Sequence, residues 1–264
     1  MIPKIIHYCW FGHNPKPKLA EKCIKSWKKY CPDYEIIEWN EDNFDISACP
    51  LYVRQAYEAK KWAFVTDYVR LQVVYEHGGI YMDTDVELKK SLDPLLEYNA
   101  YFGFEDETHI ATGLGFGAVK GTPILMEMME DYQDIPFIQP DGSFDTTACP
   151  ARNTHVLVRY GLVQNNHKQL LWGNVLVLPT ISLCPVSFNT GEHIHSKESY
   201  SIHWFSASWQ TQEQRKRYTL YMEEMRKIRF RGKVNDLLHF PHRIILKMLG
   251  ENNYIKLKSF LGKG

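Results

Sequence analysis

The stretch FVTDYVRLQVVYEHGGIYMDTDVE, residues 64 to 87, decides the fold. Its first part has helical spacing: Val65, Val69 and Val73 line one stripe, while Leu71 and Val74 share another with Asp67 and Arg70, so this helix is apolar on nearly all sides and reads as buried. Asp67 and Arg70, three apart, lie on one helix face. A buried acid and base must satisfy each other or a ligand, and a structural ion pair fits the residues as well as a binding pair does. Gly78 suits a helix C-terminal cap. The apolar strand GIYM then runs into Asp83 and Asp85, although a charged carboxylate is costly to desolvate unless it is paired, hydrogen-bonded or metal-bound. Alternation puts residues i and i+2 on one side of a strand, so both aspartates face one target if the extension continues past Met82.

In an open α/β sheet that target lies outside the carboxyl ends of the strands. Two carboxylates there suit a hard divalent cation that keeps oxygen ligands and bridges phosphates. A lone DxD also reads as a turn or a surface acid pair. The paired glycines, which permit close backbone approach, and the apolar run before the acids weigh against that reading.

Working outward, KIIHYCW at 4–10 and YEIIEW at 34–39 read as strands, with a helix between them that begins near Pro17 and carries Leu19, Cys23, Ile24, Trp27 and Tyr30 at helical spacing. A single long helix is expected over about 52–76. AYFGFE, LGFGAV, NVLVLP and YSIHWF read as later strands, and Thr122 and Pro123 open a helix with Ile124, Leu125, Met128, Met129 and Tyr132 on one face. Alternating strands and helices are the rhythm of an α/β sheet with crossover helices.

The net charge is zero, but 18 basic and 26 acidic residues up to position 210 face 13 and 5 beyond it, a balance of −8 and +8. Residues 211–230 read as a basic helix with Tyr218, Met222, Met225 and Ile228 inward. A second amphipathic segment runs through Leu237, Leu238, Ile244, Ile245, Met248 and Leu249. The six cysteines are scattered without CxxC pairs or zinc-finger histidines, which fits a reducing compartment. The N-terminal apolar run is too short for a signal peptide, and no run approaches the roughly 18 residues of a membrane span. The expected setting is therefore cytoplasmic.

SIHWFSASW places His203, Ser208 and Trp209 just after a strand, where the histidine suits a metal or a diphosphate and the hydroxyl and indole are neutral donors. With 11 histidines in the chain, a structural role for any one of them is the commoner case. Trp10, at the end of the first strand, suits stacking on a base or sugar, or an ordinary place in the core.

In order and separation, PKIIHYCWFG, FVTDYVRLQVVYEHGGIYMDTDVE and IHWFSASW resemble glycosyltransferase family 32, the DXD-containing sugar transferases, over about residues 1–210. The likeness is greatest to bacterial capsular-polysaccharide and lipopolysaccharide enzymes; fungal mannosyltransferases and clostridial toxin glucosyltransferase domains share part of the pattern. The resemblance implies a GT-A type fold, α/β with a mostly parallel sheet flanked by helices, as a catalytic domain over 1–210 with a basic helical extension over 211–264. It also implies Mn²⁺ or Mg²⁺, a nucleotide-diphosphate sugar donor such as a UDP-sugar, a glycan acceptor, and retention of anomeric configuration. In that pattern Trp10 stacks on the base, Asp67 and Arg70 contact ribose and sugar, Asp83 is the first DXD carboxylate, and Asp85 binds the metal. His203, Ser208 and Trp209 fall in the element that closes over the diphosphate, with His203 completing the metal shell. Relatives often place Asn or Asp opposite the anomeric carbon, where this chain has Thr112 and Gly113.

A competing reading is a haloacid-dehalogenase-type phosphatase with Asp83 as nucleophile and Asp85 as general acid. That scheme needs a late acidic pair, and Asp131 and Asp134 fit it poorly. A non-catalytic sugar-binding module is a third reading. The extension is either a solvated helical cap or a peripheral anchor on an anionic membrane, with Arg243, Lys247, Lys256 and Lys258 near headgroups, useful for a lipid-linked acceptor. No nucleic-acid-binding module accompanies the charge.

Overall fold

A computed structural model describes residues 1–187, 190–206 and 212–238. Residues Met1–Trp209 form one compact unit. Its spine is a seven-stranded sheet in the order β2-β1-β3-β6-β5-β8-β7. The strands are β1 Ile5–Cys9, β2 Glu35–Trp39, β3 Gly79–Tyr81, β5 Ala100–Gly103, β6 Phe116–Ala118, β7 Gln169–Leu171 and β8 Val175–Leu178. β1, β2 and β3 pair in parallel, as do β5 and β8, while β6 runs antiparallel between the two groups and β7 antiparallel at the edge. Five strands thus share one direction, as the sequence leads one to expect. β4, Val86–Leu88, leaves this sheet and pairs antiparallel with β9, Ser201–His203.

Local sequence explains the elements that carry the site. In β1, Ile6 and Tyr8 pack on one side of the sheet, and α1, Lys18–Tyr30, lays Cys23 and Trp27 into the same cluster. Trp27 is wholly buried and its indole N–H donates to the Val86 carbonyl at 2.7 Å, tying α1 to β4. Replacing it with Ala would cost about 3–5 kcal/mol.

The expected helix over 52–76 is two helices, α2 Leu51–Glu58 and α3 Trp62–His77. Lys60 takes a left-handed φ of 56°, and Lys61 N–H reaches back to the Ala56 carbonyl at 2.8 Å, a helix-ending turn with lysine where glycine is usual. α3 is buried on nearly every side, including Asp67 and Arg70. Gly78 N–H closes it on Val74 O at 2.8 Å. Gly79, at φ 105°, then brings the chain so close to β1 that a Cβ would stand 2.8 Å from the Ile5 carbonyl, room that only glycine leaves.

The remaining helices of this unit are α4 Pro123–Glu130, α5 Cys149–Arg159 and α6 Thr180–Leu183. α5 and β7 have no counterpart in the sequence reading. α7, Gln212–Leu238, belongs to the unit from Gln210 onward. Ile228, expected inward, is exposed, as are Leu220, Tyr221 and Phe230, because polar residues surround this helix and leave it no single apolar face. Met222 and Met225 are half-buried. Tyr218's side chain and the second amphipathic segment beyond Leu238 lie outside the described residues. Among the described residues, no helix is long and apolar enough to cross a membrane.

Candidate functional site

The two aspartates converge by a turn and not by strand alternation. β3 stops at Tyr81, and Asp83 and Asp85 stand in a tight turn before β4, closed by Val86 N–H on the Asp83 carbonyl at 3.0 Å. Asp83 N–H is held by Gly113 O at 3.2 Å. The strand β9 next to β4 delivers His203, whose register partner is Val86. One ligand atom each from Asp83, Asp85 and His203 lie within 4.8 Å of one another.

Each member is fixed from behind. Arg70 is the hub on the Asp83 side: its Nη2 lies 3.1 Å from Asp67 Oδ1 and 3.2 Å from Asp83 Oδ1, and its Nε donates to Thr66 O at 2.9 Å. The Tyr81 hydroxyl donates to Asp83 Oδ1 at 3.0 Å, and the guanidinium sits 5.0 Å from the Tyr81 ring centre. Burial raises the Asp83 pKa; Arg70 opposes this and Asp85 adds to it. Asp67 is pushed up to about 6 by burial, with Arg70 opposing and Asp83 reinforcing. One guanidinium thus serves two carboxylates, and neither is fully compensated.

Asp85 is the reverse case. Burial works against its charge, but the His203 ring at 3.1 Å and the Ser206 N–H at 2.7 Å outweigh that and hold the carboxyl well below its usual range. His203 in turn is held well above the usual imidazole range, its burial overcome by Asp85. Oxygen atoms of two carboxylates and one imidazole nitrogen, converging and backed by further hydrogen bonds, are a donor set suited to Mg²⁺ or Mn²⁺.

Behind the cluster, Glu87 takes Lys22 Nζ at 2.7 Å, Lys89 Nζ at 2.8 Å and Trp204 Nε1 at 2.9 Å, while Trp204 N–H donates to Asp85 O at 3.0 Å. This ties the chain after β9 to β4. Glu87 stands two residues after the acidic pair, so its place and its neighbour Lys89 were visible in sequence, but its partners from α1 and from the residue after β9 were not. Ser206 and Gly113 act through backbone atoms and gave no side-chain signal.

Trp10 follows β1 at the same sheet edge, its N–H on Trp39 O at 2.8 Å and its indole on Asn14 O at 2.6 Å, half-buried with Lys16 Nζ 5.6 Å from the ring centre. Ser208 and Trp209 lie outside the described residues. Thr112 is wholly buried and accepts from Asn153 Nδ2 at 3.0 Å, so it does not face a ligand. Asp131, from the acidic pair that a phosphatase would need, pairs instead with His155 at 3.3 Å. All six cysteines are free and buried.

Residues 17–102 match the family described as a glycosyltransferase sugar-binding region containing a DXD motif. This match is in line with the resemblance read from the motifs. It is 32% identical over 140 residues to inositol phosphoceramide mannosyltransferase 3 of Schizosaccharomyces pombe, covering 52% of this chain and 38% of that protein. Identity is 26% over 163 residues to a mannosyl phosphorylinositol ceramide synthase of Saccharomyces cerevisiae, covering 54% of this chain and 40% of that one. The matches thus span about two fifths of these relatives. Among solved structures, the PaToxG glycosyltransferase superposes with a TM-score of 0.46 at 18% identity, over 60% of this chain and 69% of that one.

Proposed function

We propose that this chain is a metal-dependent glycosyltransferase that moves a sugar from a nucleotide diphosphate to a hydroxyl acceptor. The observation that carries the reading is the convergence of Asp83, Asp85 and His203 within 4.8 Å at the carboxyl edge of the sheet. Those three residues would hold the divalent ion, which neutralises charge on the departing diphosphate when bound. The protein's share is orientation. Arg70, braced by Thr66, holds Asp83 and Asp67 at fixed positions against the sugar and ribose hydroxyls. Glu87 and Trp204 keep the start of the chain after β9 seated beside Asp85, and Ser208 and Trp209, later in the same sequence motif, are the proposed donors to the diphosphate. Trp10 supplies the stacking face for the base.

The finer reading is a UDP-sugar donor and a surface-polysaccharide acceptor, with the protein cytoplasmic and residues 211–264 resting on an anionic membrane that carries a lipid-linked acceptor. The excess of basic residues beyond position 210 supports contact with an anionic surface, and the lipid acceptors in the names of the fungal relatives support a membrane-borne substrate.

A panel of UDP- and GDP-linked hexoses, tested with Mn²⁺ and with chelator for thermal shift and nucleoside-diphosphate release, tests the reading. Manganese-dependent stabilisation and slow release by one donor are expected. No response, with hydrolysis of phosphate monoesters instead, would turn the assignment to the phosphatase.

A further inference from the structure

One carboxylate beside the cluster has no task in the arrangement above. After β5 the chain enters a hairpin closed by a Phe104–Ile110 bridge and by Glu105 N–H on His109 O at 2.8 Å. It returns through Ala111 N–H on Gly103 O at 3.2 Å and runs through Thr112 into Gly113, which abuts Asp83. Asp106 serves the turn, accepting from Thr108 N–H at 2.8 Å and His109 N–H at 2.7 Å. The half-buried Glu105 carboxylate makes no hydrogen bond or ion pair among the described residues.

Its direction follows from alternation. Phe104 is wholly buried, and Gly103 presents its bare Cα to Leu183 of α6, where a Cβ would meet that side chain at 2.7 Å. Glu105 leaves the chain on the side of Gly103, toward α6 and its neighbour β9. Burial raises its pKa; the His203 imidazolium works against that, and the charges of Asp106 and Asp83 add to it. It is nonetheless not one of the three groups that converge within 4.8 Å. A carboxylate on the side of the sheet that carries β9, in a hairpin that returns to Gly113 beside Asp83, outside the converging trio and without a partner among the described residues, is placed for a substrate hydroxyl.

We propose that Glu105 is the acceptor-side carboxylate of this site, receiving the proton of the hydroxyl that attacks the donor sugar. The inference rests on the glycosyltransferase reading. The nucleophile's oxygen bonds to the anomeric carbon, from the leaving-group face as retention of configuration requires, as the bond from that carbon to the diphosphate oxygen breaks. The electron pair leaves with the diphosphate, and the nucleophile's proton passes to Glu105 and then to solvent water. Water itself, the nucleophile of donor hydrolysis, would be served in the same way.

The test is Glu105→Gln, which keeps the shape and removes the basic oxygen. Mn²⁺ and UDP affinities are measured by calorimetry, and steady-state hydrolysis is followed with a sugar nucleotide that the wild-type protein turns over. The expected result is a fall in kcat of about 100-fold with the Mn²⁺ and UDP affinities and the donor KM within threefold of wild type, and partial recovery in Glu105→Asp. A kcat within threefold of wild type would overturn the proposal. So would a tenfold loss of Mn²⁺ affinity, which would make Glu105 a metal ligand. Failure of the wild-type protein to turn over any sugar nucleotide would instead remove the transferase reading, and this proposal with it.

Discussion

Gly113→Ala is the smallest change that should disable the site. A Cβ at this position would lie 2.3 Å from Asp83 Oδ2 and 3.1 Å from Arg70 Nη1. A relaxed carbon–oxygen contact is about 3.3 Å or longer, so the carboxylate must retreat by roughly 1 Å. Gly113 has no left-handed φ, so alanine suits the backbone and the effect falls mainly on Asp83, with a smaller push on Arg70. Retreat would stretch the 3.2 Å contact to Arg70 and the 3.0 Å bond from Tyr81, at a stability cost of about 1–2 kcal/mol and a few degrees of Tm. The larger cost is positional. A 1 Å misplacement of a group that orients the donor costs on the order of 100-fold in turnover, or about 2.7 kcal/mol of barrier. Manganese-dependent nucleoside-diphosphate release should show that loss while circular dichroism shows an intact fold. Turnover within threefold of wild type would refute the close packing of Gly113 on Asp83 as a determinant of activity.

His7 and Asp67 should oppose each other in the pH dependence of stability. The wholly buried His7 is pushed down to about 4 by burial, so the folded protein binds fewer protons than the unfolded chain between pH 4 and 6.5, and stability worth roughly 3 kcal/mol is lost as pH falls through that window. Asp67, raised to about 6, binds more protons folded, so its stability contribution is lost as pH rises through the same range. Asp67→Asn should therefore raise Tm at pH 7, steepen the decline between pH 6.5 and 4, and abolish turnover; a parallel pH profile of Tm would contradict this. Arg70→Lys keeps the charge but loses the fork that reaches Asp67, Asp83 and Thr66, and should cost about 2–3 kcal/mol in urea unfolding along with most activity. Glu87→Gln should weaken the seating of Trp204, with a quenched or shifted tryptophan emission and a several-fold lower donor affinity; unchanged emission and affinity would leave Glu87 without that role.

The parts of this molecule that one segment encodes were legible in its sequence. An all-round apolar helix carrying Asp67 and Arg70 had to bury an ion pair, and Arg70 Nη2 lies 3.1 Å from Asp67. Two acids after an apolar strand had to meet a ligand or a partner, and they gather at the sheet edge with His203. The turn that does so was misread as strand, because Met82 and Val86 are apolar on either side and nothing in DTD breaks the pattern. The helix break at Lys60 was hidden for a related reason: the left-handed residue is not glycine, so local chemistry carried no stop signal. Contributions from distant loops were invisible. Gly113 and Ser206 act through the backbone, and Glu105 gains its meaning only once the end of β5 is placed beside α6 and its neighbour β9.

The central claim is that Asp83, Asp85 and His203 hold a divalent ion that in turn holds the donor. Calorimetric titration of UDP into the protein, with Mn²⁺ and with chelator, in wild type and Asp85→Asn, tests it most directly. The account predicts tight binding in wild type with Mn²⁺ alone, lost on chelation and lost in Asp85→Asn. UDP binding that is unaffected by chelation, or retained in Asp85→Asn, would contradict it.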